Sequence, residues 1–348
     1  MKFYRQITCL TLNPCRFPPM DSITHAALGA AVSQSMLGRQ LGRRAAIWGA
    51  AIGILPDLDM IAFPWMDTLT RLEWHRGPSH SLLFILAASP LLGWLISSIH
   101  SGKTKIIRAS IAVFLVLATH VLIDAFNVYG TSVFAPLSEF RAGLNNLFII
   151  DPLFTVCILA GLAVSLIAKS GARLRRYANL AGLALAVLYA TWSFVAKTAA
   201  DSVFEKSLGE RKTPVIRFMS SPTPFNTLLW RCLAETPDSF LIGYHSLLAP
   251  KRPVDFLLIP KNSDAARLLP HRRTLERLFW FSNGYLTVES INGGFLASDW
   301  RFAEFQTSSS SKPAALFAWR IKDDGTVTPL PVKLDILARL RDIMDAML

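Results

Sequence analysis

Long apolar runs alternate with short basic segments through the first 196 residues of the chain. Five runs approach the ~20 residues that an α-helix needs to cross a bilayer. They are Ala45–Pro64, Ser81–Ile99, Ile106–Asp124, Phe148–Ala168 and Ala178–Ala196. A shorter run, Thr24–Leu37, is rich in small residues and predicts a half-helix that packs closely on its neighbours. Residues 20–196 are therefore predicted to form a membrane all-α helical bundle with about five spans and a short N-terminal half-helix.

After Ala196 the pattern changes to short β-rich runs separated by turns that contain Pro, Asn and Gly. The predicted strands are Ser239–Leu247, Val254–Ile259, Tyr285–Ile291 and Ala315–Lys322. Helical periodicity appears in Thr274–Phe281 and Lys333–Met347. Residues 197–348 are therefore predicted to form a soluble α+β domain. Residues 1–19 lack the apolar core and cleavage site of a signal peptide, and we interpret them as a mis-assigned N-terminal extension.

Composition supports a membrane protein and argues against nucleic-acid binding. The chain has 348 residues, is 52% hydrophobic and carries a formal net charge of +12. Its N-terminal basic residues lie mostly between apolar runs, where such residues orient membrane proteins and contact anionic lipid. We therefore expect membrane lipid as a partner and no nucleic acid. The four cysteines form no C-x-x-C pair, which argues against a thiolate zinc site, and the oligomeric state is unknown.

The basic loops also predict an orientation in the membrane. Clusters lie at 39–44, 103–108 and 169–176, and all of them face the cytoplasm if successive spans alternate in direction. The same alternation places the His75–His80 loop and the C-terminal domain on the opposite side. We therefore expect a multi-pass protein of the bacterial inner membrane, with both of these parts in the periplasm.

Ionisable residues of metal-binding types interrupt the apolar region in patches that this topology places on one membrane face. Because such residues are costly beside a bilayer, an intramembrane or membrane-edge cluster is a functional site by default. Imidazole and carboxylate groups bind Zn²⁺ and other divalent metals. The candidate ligands are His25, Asp57, Asp59, His75, His80, His120 and Asp124.

The local spacing suggests how these residues are presented. His120 and Asp124 are four residues apart, so both side chains project from one helix face. Pro56 should kink or end its helix and present the neighbouring Asp57 and Asp59 from irregular backbone. Each patch also has a structural interpretation: His25 alone suits a packing histidine, and the loop histidines suit a solvated turn.

Three residues are candidates for catalytic roles beside a metal. Arg76 offers a planar fork that binds phosphate or carboxylate. Whichever of Asp57, Asp59 and Asp151 does not bind metal could serve as a general base, and Asp59 and Asp151 are the candidates we name for it. Asp151 precedes Pro152 and suits the N-cap of the next helix equally well.

Together, the Met20–His25 segment and the patches at Asp57, His80 and His120 resemble the YdjM-like family. Its members are LexA-regulated, membrane-bound, predicted metal-dependent hydrolases of bacterial inner membranes. The resemblance covers residues 20–155 and implies hydrolysis of a phosphate ester or lipid-linked substrate through a metal-activated water. The family is distantly similar to zinc-dependent phospholipase C and P1-type nucleases, so we expect a divalent metal, zinc first and manganese second.

Two other functions remain open from the residues. Pro78-Ser79-His80 and the His120–Asp124 pair resemble parts of the metal-independent membrane lipid phosphatase signature. However, Phe114 stands where that signature has arginine. A non-enzymatic metal transporter or scaffold is the other alternative. The clustering of acids at one membrane end argues against it, because ion paths place charged residues across the membrane.

Overall fold

The computed structural model describes residues 21–167, 173–305 and 313–330, together with Met344 and Met347. Its N-terminal part is helical, with α1 Ser22–Leu41, α2 Arg44–Ile54, α3 Thr68–Trp74, α4 Leu82–Ile99, α5 Ile106–Ala125, α6 Pro152–Ile167 and α7 Arg173–Gly209. Two 3-10 segments, Leu55–Trp65 and Pro78–His80, lie between these helices. The predicted extension over residues 1–19 lies outside the described residues, as does most of the predicted helix Lys333–Met347.

Four helical segments of the described chain are long and apolar enough to cross a membrane. They are Arg44–Trp65, Leu82–Ile99, Ile106–Ala125 and Arg173–Gly209. The predicted fourth span, Phe148–Ala168, is instead the 16-residue apolar helix α6. It starts only at Pro152, where the Asp151 side chain accepts hydrogen bonds from the first turn. The helical bundle is confirmed, with four helices of spanning length among the described residues and α6 described from Pro152 to Ile167.

The N-terminal helix α1 is longer than the predicted half-helix and lies inside the bundle. It has 20 residues and begins where Asp21 caps the Thr24 amide. Its small residues, including Ala27 and Ala31, are buried against α2, α5, α6 and α7. Small and polar side chains lower its hydropathy without interrupting the helix. That is why the apolar pattern underestimated its length.

Helix α7 passes through the predicted domain boundary after Ala196. Its 37 residues span roughly 55 Å at 1.5 Å per residue, well beyond the ~30 Å hydrocarbon core. Beyond Ala196 it packs Ala200, Phe204 and Leu208 against the first sheet of the C-terminal domain. The rise in charged residues after Ala196 therefore does not mark the end of the helix.

The C-terminal part consists of two antiparallel four-stranded sheets, which confirms a domain of strands with short helices. The first sheet contains β1 Arg217–Pro222, β2 Leu229–Glu235, β3 Ser239–Ser246 and β4 Phe256–Pro260 in sequence order. The second contains β5 Leu286–Ile291, β6 Gly294–Phe305, β7 Ala314–Ile321 and β8 Val327–Pro329, also in order. Two helices, α8 Ser263–Leu268 and α9 Arg272–Phe281, follow β4 and precede β5 along the chain. Strands β1, β2, β6 and β8 were not predicted; β2 is buried along nearly its whole length although it contains Arg231, so it shows neither apolar–polar alternation nor an unbroken apolar run.

The second sheet packs directly on the loops of the helical bundle. Leu72 of α3 and Tyr129, which follows α5, belong to the same core as Phe281 and Trp319. The Thr68 hydroxyl donates a 2.8 Å hydrogen bond to the carbonyl of Val327. The C-terminal domain therefore covers the end of the bundle from which the candidate site residues come.

Candidate metal centre

The segment after α2 places the first acidic residue in the protein interior. The α-helix ends at Ile54, and a 3-10 helix begins at Leu55 with Pro56 in its first turn. The break expected at Pro56 is therefore confirmed. It directs Asp57 inward, where only 2% of the residue is exposed. Asp57 is thus a buried carboxylate near the end of an apolar helix.

Four side chains from three segments meet at this end of the bundle. Asp57, His80, His120 and Asp124 are all buried, and each offers a ligand atom within 4.8 Å of the others. His80 Nε2 lies 3.1 Å from His120 Nε2 and 3.1 Å from Asp124 Oδ2. The 3-10 turn at Pro78–His80 supplies His80, and α5 supplies His120 and Asp124, four residues apart.

The hydrogen bonds of His120 prepare it to bind a cation. Its Nδ1 donates a 2.7 Å hydrogen bond to the carbonyl of Gly53, so that proton is held away from the cluster. Nε2 is then the nitrogen that offers a lone pair, as in histidines that bind metals. Asp57 Oδ1 lies 3.4 Å from His80 Nε2 and 3.7 Å from His120 Nε2, so its carboxylate faces both imidazoles. Two imidazoles and two carboxylates form a ligand set that zinc accepts, so the residues present fit a divalent cation.

The cluster attracts positive charge strongly. Burial alone would lower the pKa of His80, but its hydrogen bonds to Asp124 and Asp57 outweigh burial and raise that pKa to about 9. Carboxylates that stabilise a proton in this position would equally stabilise a metal ion, which competes for the same nitrogen.

His25 and Arg76 lie directly beside Asp124. His25 Nε2 is 3.2 Å from Asp124 Oδ1, and its ring lies 3.9 Å from the His120 ring, centroid to centroid. Arg76 Nη2 is 2.6 Å from the same Asp124 oxygen, and Nη1 donates a 2.8 Å hydrogen bond to Asn127 Oδ1. Only 1% of Arg76 is exposed, so its guanidinium holds a carboxylate of the cluster instead of projecting into solvent.

His75 and Asp59 form a separate pair next to the cluster. His75 Nδ1 lies 3.3 Å from Asp59 Oδ1, and Asp59 Oδ2 accepts a 3.2 Å hydrogen bond from the Arg76 backbone amide. Neither residue belongs to the group of ligand atoms within 4.8 Å of one another. Burial lowers the pKa of His75, although its contact with Asp59 acts in the opposite direction. The structure therefore places this pair where it supports the turn that carries Arg76 and His80.

Asp151 has the hydrogen bonds of a helix cap. Its Oδ1 accepts 3.1 Å bonds from the backbone amides of Leu153 and Phe154, and Tyr189 donates a 2.8 Å bond to Oδ2. Burial raises the pKa of Asp151. Of the two interpretations left open by the sequence, the N-cap is the one these contacts support.

A small cleft borders the cluster at Asp124. Its lining includes His25, Asp124 and Asp151, with apolar walls from Phe148 and Phe154. Its volume of about 20 Å³ is enough for a water molecule. His100, which sequence analysis did not include in the site, lies elsewhere and accepts a 2.9 Å hydrogen bond from the Trp48 indole.

Sequence reasoning missed two partners of the cluster, the Gly53 carbonyl and the Asn127 side chain. A backbone acceptor leaves no signature in side-chain types, so the sequence did not identify the Gly53 carbonyl. Asn127 follows Asp124 by three residues, a spacing that does not by itself distinguish a turn residue from a site residue.

Comparison with known proteins identifies the family. The model of the YdjM inner membrane protein family matches residues 20–200, more than half of the chain. The chain belongs to this family. It is also similar to the "Uncharacterized protein YfhP" of Bacillus subtilis (strain 168), at 24% identity over 152 residues. That alignment covers 42% of this chain and 46% of the relative, so the chain spans less than half of the relative's length. No solved structure matches.

Proposed function

We propose that this protein is an integral-membrane, metal-dependent hydrolase that acts on a phosphate-ester or lipid-linked substrate. The observation that carries the proposal is the buried cluster Asp57–His80–His120–Asp124 at one end of the apolar helices. Two carboxylates facing each other away from water are unfavourable unless a cation compensates them. In the metal-free protein Arg76 and the protonated His80 offset the two carboxylates. A bound divalent ion would take the place of the His80 proton as the cation between them.

Asp57, His80, His120 and Asp124 would hold the metal, with zinc as the first expectation and manganese as the second. A divalent ion supplies a Lewis acid and lowers the pKa of water from 15.7 to roughly 7. His25 faces the cleft, and its Nδ1 has no hydrogen-bond partner among the described residues. That nitrogen is positioned to take a proton from water in the cleft.

The contacts around the cluster indicate supporting roles for the other candidates. Arg76 fixes the orientation of Asp124 and lowers the negative charge near an incoming anionic substrate. Asp59 and His75 hold the turn on which Arg76 and His80 lie. Asp151 caps α6 at the edge of the cleft. We therefore assign positioning roles to Asp59, His75 and Asp151.

The cleft suggests the class of substrate. Its polar residues, His25, Asp124 and Arg76, lie beside the apolar side chains of Phe148 and Phe154. An ester that joins an anionic phosphate to an apolar group would match both kinds of wall, and its binding would require the cleft to open beyond its volume of about 20 Å³. Because the cleft lies at the end of membrane-type helices, a substrate anchored in the bilayer could approach it without leaving the membrane surface.

We place this face of the membrane in the periplasm, and the C-terminal domain with it. Support comes from the basic segments at 39–44 and 103–108, which lie at the opposite ends of α2 and α5 from Asp57 and Asp124. Fusion of the C-terminus to alkaline phosphatase, which is active only after export, tests the orientation. Activity of this fusion supports it, whereas fluorescence of a C-terminal green fluorescent protein fusion would contradict it.

Elemental analysis of detergent-purified protein tests the metal site. We expect near-stoichiometric zinc or manganese in the wild type and its loss in the double variant His80→Ala/His120→Ala. The matched control is His100→Ala/His271→Ala, which removes two histidines outside the cluster and should retain the metal. A wild type that binds no metal even after reconstitution would contradict the proposal.

Hydrolysis is then measured on phosphomonoester, phosphodiester and lipid phosphate substrates, before and after treatment with a strong chelator. We expect activity that the chelator removes and that added metal restores. Activity that survives complete metal removal would instead support the metal-independent lipid phosphatase. Metal flux into sealed vesicles without hydrolysis would support the transporter.

A further inference from the structure

A larger cavity lies between the loop that follows α5 and the C-terminal domain. Its volume of about 430 Å³ falls within the ~300–1,000 Å³ typical of small-molecule sites. Aromatic side chains form much of its wall, among them Tyr129, Phe140, Trp280 and Tyr285. It shares no lining residue with the cleft at the metal centre, so it is a separate candidate site.

Arg141 is the polar residue of this cavity whose charge lacks a partner. Its Nη2 donates a 2.9 Å hydrogen bond to the Gly130 carbonyl. Its Nε and Nη1 are buried and have no hydrogen-bond partner among the described residues. The guanidinium carbon lies 5.2 Å from the ring centroid of Tyr129 and 5.3 Å from that of Trp280. Burial lowers the pKa of Arg141 to about 10, so the side chain remains charged at neutral pH.

The other charged groups of the cavity are already paired within the protein. Arg301 forms a 2.6 Å ion pair with Asp299, and Arg217 forms one of the same length with Glu235. Glu139, the acid in the cavity wall, is engaged by Arg277 outside it. The described cavity therefore carries an excess positive charge at Arg141, and a buried charge without a counter-ion is unfavourable.

We propose that this cavity binds the phosphate group of a ligand, with Arg141 as its counter-ion. Phosphate suits the site because it offers several acceptor oxygens to Nε and Nη1 of Arg141, which have no hydrogen-bond partner in the described part of the chain. The aromatic side chains of the cavity wall suit contact with an apolar or ring-containing part of the same ligand. The proposal does not depend on the metal centre.

The position of the cavity favours a membrane lipid as the source of this phosphate. The loop that contributes Arg141 joins α5 to α6, so it lies at the end of membrane-type helices. The same loop exposes Leu137 and Phe140, which are 82% and 59% accessible. Exposed apolar side chains in such a loop suit contact with the bilayer interface. Phe140 also lines the cavity, which places its mouth beside that apolar surface.

Isothermal titration calorimetry on the full-length protein in detergent tests the proposal. The probes are dioctanoyl phosphatidate, glycerol 3-phosphate and inorganic phosphate, with neutral dioctanoylglycerol as the matched lipid without phosphate. We expect saturable binding of phosphatidate to the wild type. Arg141→Gln should weaken phosphatidate affinity by about tenfold or more, because the loss of a charge-assisted hydrogen bond typically has an effect of this size. Arg211→Gln, which removes an exposed arginine outside the cavity, should bind like the wild type.

The probes separate the two sources of phosphate. Binding of phosphatidate but not of the soluble phosphates supports a lipid headgroup, and comparable binding of glycerol 3-phosphate supports a soluble ligand. Phosphatidate affinity that Arg141→Gln leaves unchanged would overturn the proposal, as would failure of every phosphate probe to bind. If Arg141→Gln does not fold, equal affinity of the wild type for phosphatidate and dioctanoylglycerol would overturn it too. None of these outcomes changes the metal content on which the proposed hydrolase rests.

Discussion

Gly53 takes part both in the packing of α2 against α1 and in the candidate metal centre. Replacing it with alanine tests whether this packing affects the site. Its carbonyl accepts the hydrogen bond from His120 Nδ1, while its Cα faces the backbone of α1. A Cβ added at this position would lie 2.5 Å from the carbonyl oxygen of His25. Gly53→Ala should therefore displace backbone that contacts both His25 and His120, without removing any side chain of the site.

The size of the effect follows from these distances. The added Cβ is about 0.9 Å closer to the His25 oxygen than the 3.4 Å at which ordinary contact begins. If α2 recedes by that amount along the hydrogen bond, the 2.7 Å contact to His120 lengthens to about 3.6 Å, outside hydrogen-bond range. Overpacking typically costs about 1–3 kcal/mol, which exceeds the ~1 kcal/mol that alanine gains over glycine in a helix. Loss of such a supporting hydrogen bond typically weakens metal affinity by about 10–100-fold.

Two measurements on detergent-purified protein check this reasoning. Thermal unfolding of the metal-free protein reports the packing, and competition with a chromogenic chelator reports metal affinity. The matched control is Gly209→Ala at the end of α7, where an added Cβ meets nothing within 4 Å. We expect this control to keep the metal affinity of the wild type and to be no less stable than the wild type. A Gly53→Ala protein that unfolds no earlier than the control and binds metal as tightly as the wild type would refute the argument.

Three further variants test the roles assigned to individual side chains. Asp151→Ala removes the cap of α6 and should lower the free energy of unfolding by about 1 kcal/mol; loss of metal together with stability would show that Asp151 is a ligand. Arg76→Met leaves Asp124 buried without its guanidinium partner and should lower the free energy of unfolding of the metal-free protein by about 3–5 kcal/mol in chemical denaturation; a stability equal to the wild type would exclude this ion pair. In the C-terminal domain, burial acts to raise the pKa of Glu235, but its hydrogen bonds to Lys261 and an arginine outweigh burial and lower that pKa below 4.5. Because the folded-state pKa is depressed, these ion pairs stabilise the protein at neutral pH and lose that effect as pH falls below 4.5. Glu235→Gln should therefore cost about 0.5–1 kcal/mol at pH 7 and progressively less in acid, and a pH-independent difference would contradict the assignment.

Much of the fold could be predicted because the bilayer imposes a simple pattern on the sequence. Apolar runs of nearly twenty residues identified the membrane-type helices, and Pro56 identified the end of α2. Pattern reasoning failed where a segment is covered by protein instead of lipid or water. Helix α1 is buried by other helices through small residues, so its hydropathy underestimated its length. Strand β2 is buried along nearly its whole length, so it lacks the alternation that identifies half-buried strands.

For the candidate site, the sequence by itself determined which residue types are available and which helix ends they occupy. The four-residue spacing of His120 and Asp124 was enough to place both on one face of α5. Only the tertiary structure decided that Asp57 and His80 join them, whereas Asp59 pairs with His75 and Asp151 caps a helix. The physical reason is that ligand distances depend on how separate segments cross. That crossing depends on close backbone contacts such as Gly53 against α1, which no local pattern records.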